Sequence, residues 1–137
     1  MARAHVRDLL ENELVGRHVL LVDDDQTVRQ MLSTILGRLG LVVLPAENAQ
    51  AALAIFDKFK NDIELAICDF MMPGMPGDEL FALLRQAKPE LKGLMVTGLP
   101  PADCLRTFRA AGVDGYLAKP FGIDELEQAL RRVLALA

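Results

Sequence analysis

Short apolar runs alternate with stretches of helical periodicity from residue 18 to the C-terminus. His18–Val22 (HVLLV) is an apolar run of strand length. The stretch Gln26–Leu39 then places Val28, Leu32, Ile35, Leu36 and Leu39 on one helical stripe. Gly40 stands where a helix-ending glycine belongs. Leu41–Leu44 (LVVL) predicts a second strand, and Asn48–Lys60 a second helix with Ala51, Ala52, Ile55 and Phe59 on its apolar side. Glu64–Cys68 (ELAIC) predicts a third strand, followed by a Met-, Pro- and Gly-rich loop over Phe70–Gly77. Asp78–Ala87 reads as a helix through Leu80, Phe81, Leu83 and Leu84. Lys92–Val96 is a fourth strand and Ala102–Ala111 a fourth helix carrying Leu105 and Phe108. A short fifth strand, Gly115–Ala118, precedes a last helix, Ile123–Ala135, with Ile123, Leu126, Leu130, Val133 and Leu134 apolar.

Five strands alternating with five helices imply βαβ units and a parallel sheet covered on both faces. Right-handed crossovers leave few windings. With the first strand central, the expected fold is α/β: a flavodoxin-like, doubly wound five-stranded sheet of order 2-1-3-4-5, in a three-layer α/β/α sandwich. Residues 1–16 read as an N-terminal extension or linker, partly helical through Val6, Leu9, Leu10 and Leu14, and residues 17–137 as the domain.

Composition narrows the function classes. The 137 residues are 52% hydrophobic, enough for one core and far from the make-up of a disordered chain. Fifteen Lys and Arg against nineteen Asp and Glu give a net charge of −4, which argues against a nucleic-acid module held by phosphate contacts. No apolar run approaches the ~18 residues of a membrane span. Charges interleaved in the first 14 residues (Arg3, Arg7, Asp8, Glu11, Glu13) do not read as a signal peptide. Cys68 and Cys104, with only His5 and His18, form neither a zinc site nor a disulfide framework, so a reducing cytoplasm is the expected address.

In open α/β sheets ligands bind beyond the carboxyl ends of the strands, at the switch point of the winding. The first strand delivers Asp23-Asp24-Asp25 there, the third Asp69, the fourth Thr97-Gly98, and the fifth Lys119-Pro120. Asp25 is the expected cap of the following helix. Asp23, Asp24 and Asp69 should converge, opposite one hydroxyl and one lysine. Three carboxylates so close need a counter-charge. A hard cation such as Mg²⁺ provides it, keeping waters and taking phosphate oxygens. One carboxylate would then serve as nucleophile for a phosphoryl group.

Together VLLVDDD (19–25), CDFMMPGMPG (68–77), MVTG (95–98) and GYLAKPF (115–121) resemble the receiver domain of two-component response regulators, over roughly residues 17–137. The resemblance implies Asp69 as phosphoacceptor, taking its phosphoryl group from a sensor histidine kinase or a histidine phosphotransfer domain. It implies Mg²⁺ held by Asp23, Asp24, Asp69 and the backbone carbonyl of Met71. Lys119 and Thr97 would hold phosphoryl oxygens, and Tyr116 would turn inward behind Thr97. The Lys119–Pro120 bond is expected to be cis, and the face of helix 4, strand 5 and helix 5 to carry the switch. Met71 and Leu99 are apolar where some relatives carry polar residues that assist hydrolysis, which implies a longer phosphoryl lifetime. Gly115 and Ala129 replace the Asp and Arg of the subfamily that dimerises through the switching face, so a monomer or weak dimer is expected. The start LVGRHVLLVDDD resembles the C-terminal receiver of hybrid sensor histidine kinases; a stand-alone receiver is the alternative.

Two other readings compete. Asp23-x-Asp25-x-Thr27 and LMVTG resemble motifs of haloacid-dehalogenase-like phosphatases, with Asp23 as nucleophile and Asp25 as acid/base, but that leaves Asp69 and its loop without a role. A non-phosphorylated interaction module on the same fold would usually have lost one of the acids, Thr97 or Lys119.

Overall fold

A computed structural model of the chain describes residues 13–136. Its elements run β1 (His18–Val22), α1 (Gln26–Arg38), β2 (Val42–Ala46), α2 (Ala49–Phe59), β3 (Ile63–Asp69), α3 (Gly77–Ala87), β4 (Lys92–Thr97), α4 (Pro101–Ala111), β5 (Gly115–Ala118) and α5 (Ile123–Val133). All neighbouring strands are parallel, in the order β2-β1-β3-β4-β5. The fold is the doubly wound α/β sandwich expected from the alternation of strand and helix patterns.

Strand side chains alternate between the two faces, and each face has its own core. On one, Leu20, Val22, Ala66, Cys68 and Met95 meet Phe56 of α2, Leu80, Phe81 and Leu84 of α3, and Cys104 and Phe108 of α4. On the other, Val19, Leu21, Leu65, Ile67, Leu94 and Val96 meet Leu32 and Leu36 of α1 and Leu126, Leu130 and Val133 of α5. Two close approaches fix the helices on the sheet. A Cβ at Gly93 would stand 2.3 Å from the Phe81 ring, and one at Gly115 would stand 2.8 Å from Val133.

Boundaries differ from the sequence reading where a local signal is misleading. Strand β2 runs two residues past Leu44 and includes Pro45, paired with Leu21. Proline lacks the ladder N–H, but β2 is an edge strand with β1 as its one neighbour, where that loss costs little. Strand β3 continues through Asp69, which is still in register with Val96. Helix α5 ends at Val133 rather than Ala135, because Ala135 adopts a positive φ of 57°.

At the N-terminal side, Leu14 is fully buried in the α1/α5 core layer, and the Gly16 N–H donates to the Gly40 carbonyl at 2.8 Å. The fold therefore draws in residues ahead of 17. The helical stretch expected around Val6, Leu9 and Leu10 lies outside the described residues. No described helix is long and apolar enough to cross a membrane.

Candidate phosphoryl-acceptor site

Strand register assembles the site. Val22 pairs with Cys68, so the residues that follow, Asp23 and Asp69, leave β1 and β3 side by side. Thr97 pairs with Ala118, which sets Lys119 just beyond it, and the Lys119 N–H donates to the Thr97 carbonyl at 2.7 Å. The Lys119–Pro120 peptide is cis, as expected.

Carboxylate oxygens of Asp23, Asp24 and Asp69 lie within 4.8 Å of one another. Asp23 is 1% exposed and Asp69 8%, while Asp24 faces solvent. The Lys119 Nζ stands 3.7 Å from Asp23 Oδ2 and 3.8 Å from Asp69 Oδ1, so one ammonium bridges the two buried acids. Burial pushes the Asp69 carboxyl up to about 6; Lys119 opposes the rise, Asp23 adds to it, and an N–H donated by Met71 opposes it again. Burial likewise raises Asp23, against the N–H donated by Asp25 and the charge of Lys119. One lysine against three acids leaves an excess of negative charge, and the donor set is all oxygen. Such a nest suits a hard divalent cation.

The other expected residues fall as follows. Thr97 is fully buried at the end of β4, and its Oγ1 accepts from the Leu99 N–H at 3.0 Å. Tyr116 is half-buried on β5, two residues back along the strand from Ala118, and packs on Phe108. The Met71 side chain is 61% exposed and lines an open cleft of about 570 Å³ with Asp24, Phe70, Met72 and Pro73. Met72, by contrast, is core. Asp25 uses its carboxylate to cap α1, accepting from the Val28 N–H at 3.1 Å. That is the capping role expected, and it leaves the phosphatase motif without its acid/base.

Two supporting residues escape a reading of the sequence. Arg29 donates through Nη1 to the Asp23 carbonyl at 2.7 Å, fixing the backbone that carries the buried acid. A basic residue one turn into the helix after three acids was the available signal. Gly77 lets α3 start against β3: a Cβ there would stand 2.3 Å from the Asp69 carbonyl oxygen, and its N–H donates to the Phe70 carbonyl.

The chain is similar to known proteins. The response regulator receiver domain profile matches residues 19–131. The phosphate regulon transcriptional regulatory protein PhoB of Pseudomonas aeruginosa is 34% identical over 123 residues, covering 88% of this chain and 53% of that protein; the chain thus spans about half of its length. Sporulation initiation phosphotransferase F of Bacillus subtilis is 28% identical over 90% of this chain and 98% of its own. Among solved structures, the chemotaxis protein CheY4 of Vibrio cholerae superposes with a TM-score of 0.81 at 32% identity, over 87% of this chain and 99% of that one. The order of the strands, the acids at their ends and these matches together make the chain a member of the response regulator receiver domain family.

Proposed function

We propose that Asp69 accepts a phosphoryl group from a phosphohistidine of a sensor histidine kinase or histidine phosphotransfer domain, and that the modified domain signals through its α4–β5–α5 face. The observation that carries this is the Lys119 ammonium held 3.7 and 3.8 Å from two buried carboxylates that share a nest with a third. A carboxyl pushed to about 6 is ionised at neutral pH and more basic than an ordinary aspartate, which suits a nucleophile.

An Asp69 oxygen forms the new bond to phosphorus while the N–P bond of the donor breaks. The electron pair of that bond goes to the imidazole nitrogen, and the ring, already protonated on its other nitrogen, leaves as neutral imidazole. Lys119 exchanges its hold on the Asp69 carboxylate for a phosphoryl oxygen, and the Thr97 hydroxyl, released from the Leu99 N–H, donates to another. Tyr116 follows Thr97 inward. Asp23, Asp24, Asp69 and the Met71 carbonyl would hold Mg²⁺, which when bound neutralises charge developing on the transferred group. Met71, on the wall of the cleft, and Leu99, two residues past Thr97, slow the return attack of water.

The chain is then a signalling acceptor that turns over its own phosphoryl group rather than an enzyme acting on a free substrate. Cys68 and Cys104, both buried and free, suit a cytoplasmic location. We take residues 17–137 as the receiver domain and residues 1–16 as a linker, of which Leu14 docks on the core. Gly115, closed against Val133, and buried Ala129 offer no charges for an ion-paired dimer across the switching face, which supports a monomer or weak dimer. The net charge of −4 supports no nucleic-acid contact through this domain.

Incubation with acetyl phosphate and Mg²⁺ should add roughly 80 Da, one phosphoryl group. Asp69→Asn, or omission of the metal, should abolish it. Phosphate release that survives Asp69→Asn but not Asp23→Asn would overturn the assignment in favour of a phosphatase.

A further inference from the structure

Three of the seven aromatic side chains, six Phe and one Tyr, form one chain of ring contacts. Phe70 follows Asp69 directly, and its ring meets the edge of Phe108 of α4 at 5.0 Å between centroids and 86° between planes. Phe108 in turn lies 6.1 Å from Tyr116 of β5, tilted by 41°. Phe108 is 3% exposed, and both its neighbours pack on the same core layer.

The backbone of Phe70 is tied to the acceptor site at both ends. Its N–H donates to the Val96 carbonyl at 2.9 Å, and its own carbonyl accepts from the N–H groups of Met72 and Gly77. It therefore holds the two ends of the loop that carries Met71. Its side chain also lines the cleft beside Asp24. A shift of the loop that accompanies loading of Asp69 must move this ring or strain those hydrogen bonds. A close-packed ring has no room to move without its neighbour, because interiors are packed at crystal-like density.

We propose that Phe70 and Phe108 form a second transmission path from the acceptor to Tyr116, working beside the one through Thr97; this rests on the phosphoacceptor reading of Asp69. Edge-to-face aromatic pairs add directional attraction to their buried area, so the ring positions are coupled rather than merely adjacent. The two paths act on α4 from different sides. Thr97 acts through the loop leading into the helix, and Phe70 acts on a buried residue in its second half. Tyr116 is where they meet. Spatial adjacency is not itself coupling, and the sequence supplies the probe that measures it. The chain has no tryptophan, and Tyr116 is its one tyrosine, so tyrosine emission reports that ring alone.

The test compares tyrosine emission and its quenching by acrylamide before and after phosphorylation with acetyl phosphate and Mg²⁺, on the wild type, Phe108→Leu, Phe108→Met, Phe70→Leu and Thr97→Ala. Intact mass, read on every sample, separates loss of phosphorylation from loss of transmission. The wild type should change its emission when the mass rises. Both Phe108 variants should gain the same mass yet lose most of the emission change, and Phe70→Leu should lose it likewise when compared at equal phosphoryl occupancy. Thr97→Ala should keep part of the change at equal phosphoryl occupancy. Phosphorylated Phe108 variants that respond like the wild type would overturn the proposal. So would a Thr97→Ala variant that is fully phosphorylated and silent, since one path would then suffice.

Discussion

Replacing Asp69 by asparagine in the metal-free domain should stabilise it at pH 8, although the substitution destroys the acceptor. Asp69 is 8% exposed, and burial against Asp23 and Asp24 raises its carboxyl from 3.8 to about 6 despite the ammonium of Lys119. At about 1.4 kcal/mol for each tenfold change in proton affinity, that rise corresponds to about 3 kcal/mol. The sign follows from linkage. A carboxyl whose pKa is higher folded than unfolded contributes stability below pH 3.8, and the contribution is lost as the pH rises through 6. Above that point the wild type holds an unfavourable buried charge. The amide holds none, and its oxygen keeps the acceptor role toward the Met71 N–H. The expected gain is about 1–3 kcal/mol at pH 8, shrinking toward zero near pH 4, the lower figure allowing the neighbouring charges to relax.

Urea denaturation followed by circular dichroism, in chelator and across that pH range, measures the gap directly. A series in free Mg²⁺ supplies the second arm. Metal bound to the folded state at a hundredfold excess over its dissociation constant stabilises the wild type by about 2.7 kcal/mol, and the asparagine variant by much less. The two curves should therefore approach or cross as metal is added. An asparagine variant less stable than the wild type at pH 8 without metal would refute the reasoning. A gap independent of pH would refute it equally, since the gain would then have nothing to do with the carboxyl's charge.

Other substitutions read other parts of the chain. Met71→Asn, at the exposed wall of the cleft, should shorten the phosphoryl lifetime, measured as loss of the added mass after donor removal; an unchanged lifetime would deny Met71 a shielding role. Gly77→Ala places a Cβ 2.3 Å from the Asp69 carbonyl oxygen, so it should lower both stability and the phosphorylation rate with acetyl phosphate. Arg85→Ala removes donors to the carbonyls of Leu91 and Gly112, the ion pair with Asp114 and a stack on Phe81; the expected loss is about 2–3 kcal/mol by urea denaturation, with phosphorylation retained. Asn48→Ala deletes the side chain that accepts from the Ala51 N–H at the start of α2 and should cost about 1 kcal/mol.

The sheet was legible because β1, β3 and β4 are buried on both faces over most of their length and carry apolar runs there. The misread ends have physical causes. Pro45 looks like a stop but sits on an edge, and Asp69 looks like loop but still pairs in the ladder. The acids, Thr97 and Lys119 could be found because the chain delivers each of them at the end of a strand, and parallel winding sends all those ends to one side. Arg29, Gly77 and the run Phe70–Phe108–Tyr116 act through backbone contacts or packing between distant elements, and no periodicity marks such contacts. Leu14 shows the same limit: a leucine in a weak amphipathic stretch gives no sign that it enters the core.

The two ends of the sheet are held in different ways, and this bears on how a charge at Asp69 moves the molecule. At the end away from the site, Arg85 ties the last part of α3 to the turns before β4 and β5, while Lys88 donates to the carbonyls of Lys60 and Ile63. At the site end, α1 and α2 are capped by Asp25 and Asn48, but α3 and α4 begin after Pro76 and Pro100 with no side-chain cap. A cap is worth about 1 kcal/mol, so the first turns of α3 and α4 are the less firmly fixed ends of firmly anchored helices. A phosphoryl group that pulls on Thr97 and on the loop after Phe70 acts on those two ends. On the proposed function, the Arg85 contacts are then the fixed point against which α4 would turn on β5.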